Sequence, residues 1–257
     1  MAIFVIMPII MVIFYAFTTS EGSFTFANFS DMGTFIPVFL RSFWLSFVST
    51  VVCIIVGYPI AYILSKEGQR VQRIMIMLIM LPMWMNFLLR TYAWMSILEN
   101  TGLLNRLFSL IGLPPLRIIN THAAVVLGMV YNFLPFMVLP IYSVIVKIDR
   151  SLFEAAHDLG ANSYSVFRKL VIPMSLPGVL SGIMMVFVPA VSTFVISQLL
   201  GGGMVMLLGD LIEMQFLGTA YNPQLGSAIA LVMMIVVVAF MYVVNRFGEG
   251  EERAVGL

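Results

Sequence analysis

The chain has 257 residues, of which 61% are hydrophobic and only 10% are charged, and its mean hydropathy is +1.05. Soluble domains carry about 25% charged residues, so this chain cannot cover a water-facing surface and is predicted to be an integral membrane protein. Its net charge of +1 gives no indication of a nucleic-acid partner, and the single cysteine, Cys53, excludes an internal disulfide.

Six apolar runs of membrane-spanning length follow one another along the chain. The first run has neither the basic leader nor the small-residue cleavage site of a signal peptide, so we expect it to be a transmembrane helix. The hydrocarbon core of a bilayer requires roughly 20 apolar residues per helix, which these runs approach or reach. The spans are predicted over residues 2–17, 42–64, 74–98, 123–146, 175–199 and 225–245.

Prolines and glycines interrupt this pattern. Pro59 is expected to kink the end of the second span. The prolines of the third to fifth spans either free backbone carbonyls that line a pathway or form static kinks; they are Pro82, Pro135, Pro140 and Pro189. The glycine run at 201–203, after the fifth span, is either a hinge or a plain turn.

The distribution of Lys and Arg predicts the orientation. Nine of these residues fall on one side of the predicted spans, in the loop at 65–73, the loop at 147–173 and the C-terminal tail: Lys66, Arg70, Arg73, Lys147, Arg150, Arg168, Lys169, Arg246 and Arg253. The other side has three, Arg41, Arg106 and Arg117. Cytoplasmic loops carry the excess of Lys and Arg, so both termini and the 147–173 loop are predicted to be cytoplasmic.

The cytoplasmic loop between the fourth and fifth spans carries strong helix signals. Ser151 and Glu154 have the spacing of a capping box at the start of a first helix. Gly160 is expected to end that helix in a left-handed conformation. Asn162 or Ser163 can then cap a second short helix. The loop is therefore predicted to be two short helices joined by a sharp turn.

The composition of these two helices indicates a docking surface. Ala155 and Ala156 leave a flat face that permits close approach of another chain. Tyr164, Val166 and Phe167 are expected to form an exposed apolar knob. Exposed apolar residues at a cytoplasmic position are typical of a binding site for a partner protein.

The same loop resembles the EAA loop of permeases of type I (MetI-like) ABC importers. The resemblance rests on Glu154-Ala155-Ala156, on Gly160 after three intervening residues, and on Leu170-Val171-Ile172-Pro173, where the family pattern ends in Ile-x-Leu-Pro. It implies an all-α membrane protein with six transmembrane helices, a single permease domain over 1–257 with its core at 38–246. In such permeases the loop, here 147–173, docks on a separate ATPase. The resemblance assigns this coupling role to Glu154, Ala155, Ala156, Asp158, Gly160, Tyr164 and Phe167.

Further patches resemble the polyamine (spermidine/putrescine) permeases within that family. They are GYPIAY at 57–62, LPMWMNFLLRTYAW at 81–94, LGMVYNFLPFMVLPIYS at 127–143 and GDLIEMQF at 209–216. The resemblance implies polyamine import across a bacterial inner membrane by ATP-driven alternating access. It also implies three partners: an ABC ATPase dimer that holds ATP and Mg, a second homologous permease, and an extracytoplasmic polyamine-binding protein. This chain would then not be an enzyme.

A polyamine is a flexible polycation, so its pathway needs carboxylates and aromatic faces. Asp210 and Glu213 are three residues apart and therefore share one helical face. Trp84, Trp94 and Tyr131 are the aromatic candidates. The alternative roles stay open: the carboxylates could cap an interfacial helix or contact the binding protein, and the tryptophans could pack or form an aromatic belt.

Other polar residues near the spans are less specific. Glu99 lies at the outer end of the third span, and Asn86 and Asn132 are polar candidates within spans. Arg90 is the one cation inside a span. A buried arginine is costly in a membrane, so we expect it to pair with a carboxylate or carbonyls, or to extend to the interface, in a structural or gating role.

Several functions are disfavoured by what the sequence lacks. It has no Gly-x4-Gly-Lys-Ser/Thr phosphate loop and no metal-ligand spacing. An intramembrane serine protease needs a membrane-buried histidine, whereas His122 and His157 fall outside the predicted spans. A secondary carrier would be expected to show internal repeats. The main alternative is an importer permease for another small solute, such as iron or an organic anion.

Overall fold

The computed structural model describes residues 2–218 and 220–254, and side chains for these residues except 2, 3, 150, 157 and 247–254. In this part of the chain all regular secondary structure is helical, and the only strand-like pairing is an isolated bridge between Thr18 and Phe24. The predicted all-α membrane fold is therefore confirmed.

The helices of the described residues follow the predicted order but are more finely divided. A 3₁₀ turn (Met32–Phe35) joins α2 to α3, and a π-helical turn (Phe167–Val171) joins α9 to α10. The helices are α1 (Ala2–Ala16), α2 (Ala27–Asp31), α3 (Ile36–Lys66), α4 (Gln69–Trp84), α5 (Phe87–Leu98), α6 (Leu103–Leu110), α7 (His122–Ile145), α8 (Arg150–Asp158), α9 (Ser163–Val166), α10 (Ile172–Ser192), α11 (Val195–Gly201), α12 (Leu208–Leu217) and α13 (Pro223–Ala254).

Four helical runs in the described residues are long and apolar enough to cross a membrane: Ala27–Lys66, His122–Ile145, Ser163–Ser192 and Pro223–Arg246. A fifth span exists only if α4 and the following segment to Leu110 are taken together across a bend of 91°. The apolar α1 has 15 residues, fewer than the roughly 20 that a span needs. The continuous spans alone thus do not reach the predicted count of six.

The third predicted span is broken at Met85 and Asn86, which corrects the expectation of one continuous helix. Met85 is extended (φ −78°, ψ 149°). The Asn86 side-chain oxygen accepts from the N–H of Leu88 at 2.9 Å and from that of Leu89 at 3.4 Å. Asn side chains compete with helical hydrogen bonds and favour N-caps. Asn86 therefore starts a new helix instead of lining a span.

The boundaries around the fifth span also differ from the prediction. The second helix of the 147–173 loop does not stop before the span, because α9, the π-helical turn and α10 form one helical run over Ser163–Ser192. The run ends at Ser192, seven residues before the predicted end, and the chain is not helical at Thr193 and Phe194. The loop is thus joined to a membrane span without a break.

The chain divides into two compact units. The first comprises Met1–Ser46, Thr91–Gly128 and Val191–Tyr242, and its core is aliphatic. Its fully buried side chains include Leu200, Leu207, Leu208, Leu211 and Ile229. Gly128 of α7 has no room for a side chain, since a Cβ there would lie 2.9 Å from the Ile196 side chain of α11.

The second unit comprises Phe47–Arg90, Met129–Ala190 and Val243–Leu257. Small residues let its helices approach closely: a Cβ on Gly178 of α10 would lie 2.8 Å from the Pro140 carbonyl oxygen of α7, and one on Gly182 would lie 2.6 Å from the Met137 sulfur. Membrane helices associate through such small-residue contacts. Cys53 is fully buried in this unit, as expected for a small packed thiol.

Candidate functional site

The first helix of the 147–173 loop begins at a different cap from the one predicted. The Asp149 carboxylate accepts from the Ser151 backbone N–H at 3.0 Å, and α8 starts at Arg150. Hydrogen bonds from the Ser151 backbone, then from its side chain, lower the pKa of Asp149 below its ordinary value. The expected capping box of Ser151 with Glu154 is therefore wrong. Asp is as good an N-cap as Ser, and Asp149 comes first in the chain.

The end of α8 matches the prediction. Gly160 has φ +76°, and the Ala161 N–H donates to the Ala156 carbonyl at 3.0 Å, five residues back. This is the closing hydrogen bond of a Schellman motif, which places a left-handed glycine just after a helix. The turn directs the chain away from α8 without needing side-chain contacts.

Several residues to which the resemblance assigns the coupling role lie on an exposed face of α8. Glu154, Ala155 and Asp158 are exposed and Ala156 is half-buried. Leu159 is 88% exposed. A short helix with small residues, carboxylates and a protruding leucine on one face is suited to inserting into a cleft of another protein.

The second half of the loop is packed more tightly than predicted. Of its two candidate caps, Asn162 is the one used: its side-chain oxygen accepts from the Ser165 N–H at 2.8 Å. Tyr164 is 68% exposed, but Val166 is only 5% exposed. Phe167 is half-buried against α3. The predicted apolar knob of three residues is therefore wrong, because only Tyr164 points outward.

Phe167 is held by two tyrosines of α3. Its ring centroid lies 4.8 Å from that of Tyr62 and 5.9 Å from that of Tyr58, with interplanar angles of 61° and 81°. The Tyr58 hydroxyl also shares a hydrogen bond of 2.7 Å with the Ser175 hydroxyl in the first turns of α10. We call Tyr58, Tyr62, Phe167 and Ser175 the aromatic clasp. Sequence reasoning missed the two tyrosines, although their i, i+4 spacing indicates one helical face.

A groove of about 840 Å³ lies beside α8 in the second unit. One wall comes from the end of α3 and the start of α4, including Lys66 and Gln72, and the other comes from α7 and α8, including Glu154 and Asp158. Gln72 joins these elements, since its Oε1 accepts from the Tyr142 hydroxyl at 3.0 Å and its Nε2 donates to the Glu67 carbonyl at 2.8 Å. The loop therefore presents a recess as well as a protruding helix.

The carboxylates predicted on one helical face both lie on α12. Asp210 is 6% exposed, and its Oδ2 accepts from the Leu207 N–H at 2.8 Å, so it caps the start of α12. Glu213 is half-buried and accepts from the Gln198 side chain of α11 at 3.1 Å. The capping alternative for Asp210 is realised in this geometry, whereas Glu213 keeps partial access to solvent.

Burial, with a smaller contribution from the nearby Glu213 charge, raises the pKa of Asp210 to about 6 against the opposing effect of hydrogen bonds from Leu207, Ser197 and Gln198. Its ordinary pKa is 3.8, so the folded protein holds this proton between about pH 4 and about pH 6 while the unfolded chain releases it. Stability should therefore fall as the pH rises through that window.

The Asp210→Asn variant tests this pH dependence. Asn keeps an acceptor for the Leu207 N–H but cannot ionise. We expect the variant to raise Tm by several degrees at about pH 7.5 and to leave it nearly unchanged at about pH 4, as measured by thermal unfolding in lipid nanodiscs. The same Tm difference at both pH values would contradict the assignment.

The aromatic candidates do not gather in one unit. Trp84, at the end of α4, is 73% exposed and belongs to the second unit, as does the half-buried Tyr131 of α7. Trp94 of α5 is half-buried and belongs to the first unit, together with Asp210 and Glu213. Each unit therefore carries part of the predicted pathway set.

Arg90 is 8% exposed, its guanidinium lies 5.8 Å from the Phe87 ring centroid, and its Nε and Nη1 have no hydrogen-bond partner among the described residues. The expected pairing through these two atoms is thus not formed.

The glycine run at 201–203 has the geometry of a tight turn. Gly202 and Gly203 have φ values of +56° and +76°, and a Cβ on Gly202 would collide with the Asn120 side chain.

The family comparison matches residues 54–249 to the binding-protein-dependent transport system inner membrane component family. Among curated proteins, the spermidine/putrescine transport system permease protein PotB of Haemophilus influenzae is 35% identical over 266 residues, covering 99% of this chain and 92% of the relative. The Escherichia coli PotB is 35% identical over 92% of this chain and 89% of its own length. The Escherichia coli inner membrane ABC transporter permease protein YdcU is 27% identical over 82% of this chain and 71% of the relative.

Solved structures agree on the fold. A chain of a bacterial ABC transporter involved in the import of the acidic polysaccharide alginate superposes with a TM-score of 0.82 at 16% identity, covering 98% of this chain and 91% of that one. A chain of the MetNI methionine ABC transporter in an inward-facing conformation gives a TM-score of 0.65 at 18% identity, covering 86% of this chain and 98% of that one.

Proposed function

The chain belongs to the family of binding-protein-dependent transport system inner membrane components, and on that premise we propose that it is the permease subunit of an ABC importer that carries polyamines into the cytoplasm. It is a multi-pass inner membrane protein. The observation that carries the polyamine assignment is the similarity to spermidine/putrescine permeases over nearly the whole chain. The coupling loop alone could not carry it, because that loop is expected in permeases for many solutes.

The proposed partners are an ABC ATPase dimer, a second homologous permease and an extracytoplasmic polyamine-binding protein. The ATPase would hold ATP and Mg, and this chain would transmit movement without catalysing a reaction. The exposed face of α8, with Glu154, Ala155 and Asp158, supports docking on the ATPase. The excess of Lys and Arg in the loops at 65–73 and 147–173 supports a cytoplasmic position for that face and for both termini.

In the proposed mechanism, closure of the ATPase dimer displaces α8, and the displacement passes to the membrane spans. Two connections support this step. The run from Ser163 to Ser192 is a continuous helix, so a movement of α9 is passed to α10. The aromatic clasp ties the same run to α3 through Tyr58 and Tyr62. The prolines of α3 and α7 and the break at Asn86 give the other spans places to bend.

Uptake of radiolabelled spermidine tests the function. Cells that lack their own polyamine uptake and supply the homologous ATPase, second permease and binding protein should take up spermidine only when this chain is present. Unlabelled putrescine should compete, whereas citrate and ferric iron should not. Uptake that survives an ATPase unable to hydrolyse ATP, but stops with a protonophore, would favour a secondary carrier instead.

Glu213 should contribute to attracting the polycation, since it is the more accessible of the two α12 carboxylates. We expect Glu213→Gln to raise the spermidine concentration at half-maximal uptake about threefold to tenfold. The reason is that an ion pair at a partly exposed position contributes about 1 kcal/mol to binding. Glu21→Gln removes an exposed carboxylate elsewhere and is the matched control. Equal uptake curves for both variants and the parent would show that Glu213 does not attract the polycation and has only a structural role.

A further inference from the structure

The segment between α5 and α7 exposes an apolar face of its own. Leu103, Leu107 and Leu110 of α6 recur at intervals of four and three residues, which places them on one helical face. Their exposed fractions are 59%, 49% and 82%, and that of the adjoining Ile111 is 72%. A contiguous patch of large apolar side chains implies something that covers it.

The patch belongs to a fixed structure, because a buried asparagine ties the following arm to α6. Asn105 is 6% exposed. Its Nδ2 donates to the carbonyls of Asn100 at 3.1 Å and of Leu116 at 3.0 Å, and its Oδ1 accepts from the Leu116 N–H at 2.8 Å. The arm at 111–117 is thus pinned beside the helix, and it adds Leu113 and Leu116 to the exposed apolar residues. We call α6 together with residues 111–117 the platform.

The charges of the platform have one sign. From Asn100 to Thr121 the chain contains Arg106 and Arg117 and no Asp or Glu. Both arginines are exposed. The Arg106 Nε donates to the Thr101 carbonyl at 3.2 Å, which holds this exposed side chain at the helix edge. An amphipathic helix with cationic residues beside a leucine face is typical of a helix that lies in a membrane interface.

The neighbours of the platform place it at the membrane surface. Its helix α6 forms the end of Phe87–Leu110, the second half of the bent pair, and the platform leads into the membrane-spanning α7, which begins at His122. We propose that the platform lies in the membrane interface with its leucines among the acyl chains, and that Arg106 and Arg117 bind the phosphate headgroups of anionic phospholipids. The occupant of the apolar face is therefore the lipid surface itself, and the proposal does not depend on which solute the chain carries.

Fluorescence quenching in nanodiscs tests the position of the leucine face. In a Cys53→Ala background, an environment-sensitive probe is attached to Leu110→Cys and, as the matched control, to Ser109→Cys on the exposed polar side of the same helix. The probe at 110 should be quenched by nitroxide lipids and protected from aqueous iodide, and the probe at 109 should show the reverse. Equal iodide quenching at both sites would overturn the proposal, as would protection at 110 that appears only when a binding protein is added.

The headgroup preference is tested with the same probe at position 110. Nitroxide-labelled phosphatidylglycerol should quench it at lower mole fraction than nitroxide-labelled phosphatidylcholine. Each of Arg106→Gln and Arg117→Gln should reduce this preference about fivefold, the effect of one cation near an anionic surface. Arg41→Gln, on the same predicted side but outside the platform, should leave the preference unchanged. An unchanged preference in the double variant would overturn the assignment of the arginines.

Discussion

Replacing Gly160 by valine is expected to reduce spermidine uptake more than tenfold while the protein still inserts into the membrane. Gly160 has φ +76°, a backbone conformation that costs a non-glycine residue about 1–2 kcal/mol and a β-branched residue more. A Cβ at this position would meet no atom within 4 Å, so the penalty acts on the turn alone and not through a clash. The valine chain can escape only by changing the angle between α8 and α9.

The substitution series at Gly160 separates a distorted turn from a general loss of folding. Asn tolerates the left-handed region better than other residues, so Gly160→Asn should retain most of the uptake, with Gly160→Ala between Asn and Val. Gly68→Ala is a control at a glycine of the 65–73 loop whose Cβ would also meet no atom within 4 Å and whose φ is −69°. Membrane content is measured by immunoblot beside uptake. Full uptake by Gly160→Val, at normal membrane content, would exclude a coupling role for the turn.

The sequence predicted those features of the fold that depend on composition and on local chemistry. The low fraction of charged residues predicted a membrane bundle. Gly160 and Asn162 predicted a helix end and a helix start from residue type alone. The errors arose where two local signals competed. Asp149 and Ser151 are both good caps, and the order of the chain decided between them. At Asn86 hydropathy favoured a continuous span, but the Asn86 side chain accepts from the Leu88 N–H and caps a new helix.

The candidate site was less predictable because it depends on contacts distant in sequence. Phe167 was expected on an exposed surface, but two tyrosines of α3 cover it. The spacing of residues within its own helix gives no information about these distant tyrosines. Asp210 and Glu213 do share a helical face, but their different burial depends on how α11 and the start of α3 pack against α12: Ser42 accepts from the Leu208 N–H at 2.8 Å. Periodicity gives the face of a helix, and tertiary packing decides which residues of that face stay accessible.

The aromatic clasp carries the other large expected effect: Phe167→Ala should lower the uptake per ATP hydrolysed at least tenfold. The variant removes ring contacts with both Tyr58 and Tyr62, which together contribute about 1–3 kcal/mol beyond the burial of the ring. Without them the side-chain link between α3 and the run from Ser163 to Ser192 is reduced at this point to the Tyr58–Ser175 hydrogen bond. The ATPase should still bind, because the exposed face of α8 is unchanged.

Tyr164 provides a matched control for this prediction, since it lies three residues earlier on the same run and is 68% exposed. Tyr164→Ala should weaken co-purification of the ATPase, whereas Phe167→Ala should leave co-purification intact and lose the coupling of hydrolysis to uptake. Phe167→Leu, which keeps an apolar side chain against the tyrosines, should restore part of the coupling. Normal coupling in Phe167→Ala would mean that α10 alone passes the movement of α8 to the membrane. Loss of ATPase binding in that variant would instead place Phe167 at the docking surface.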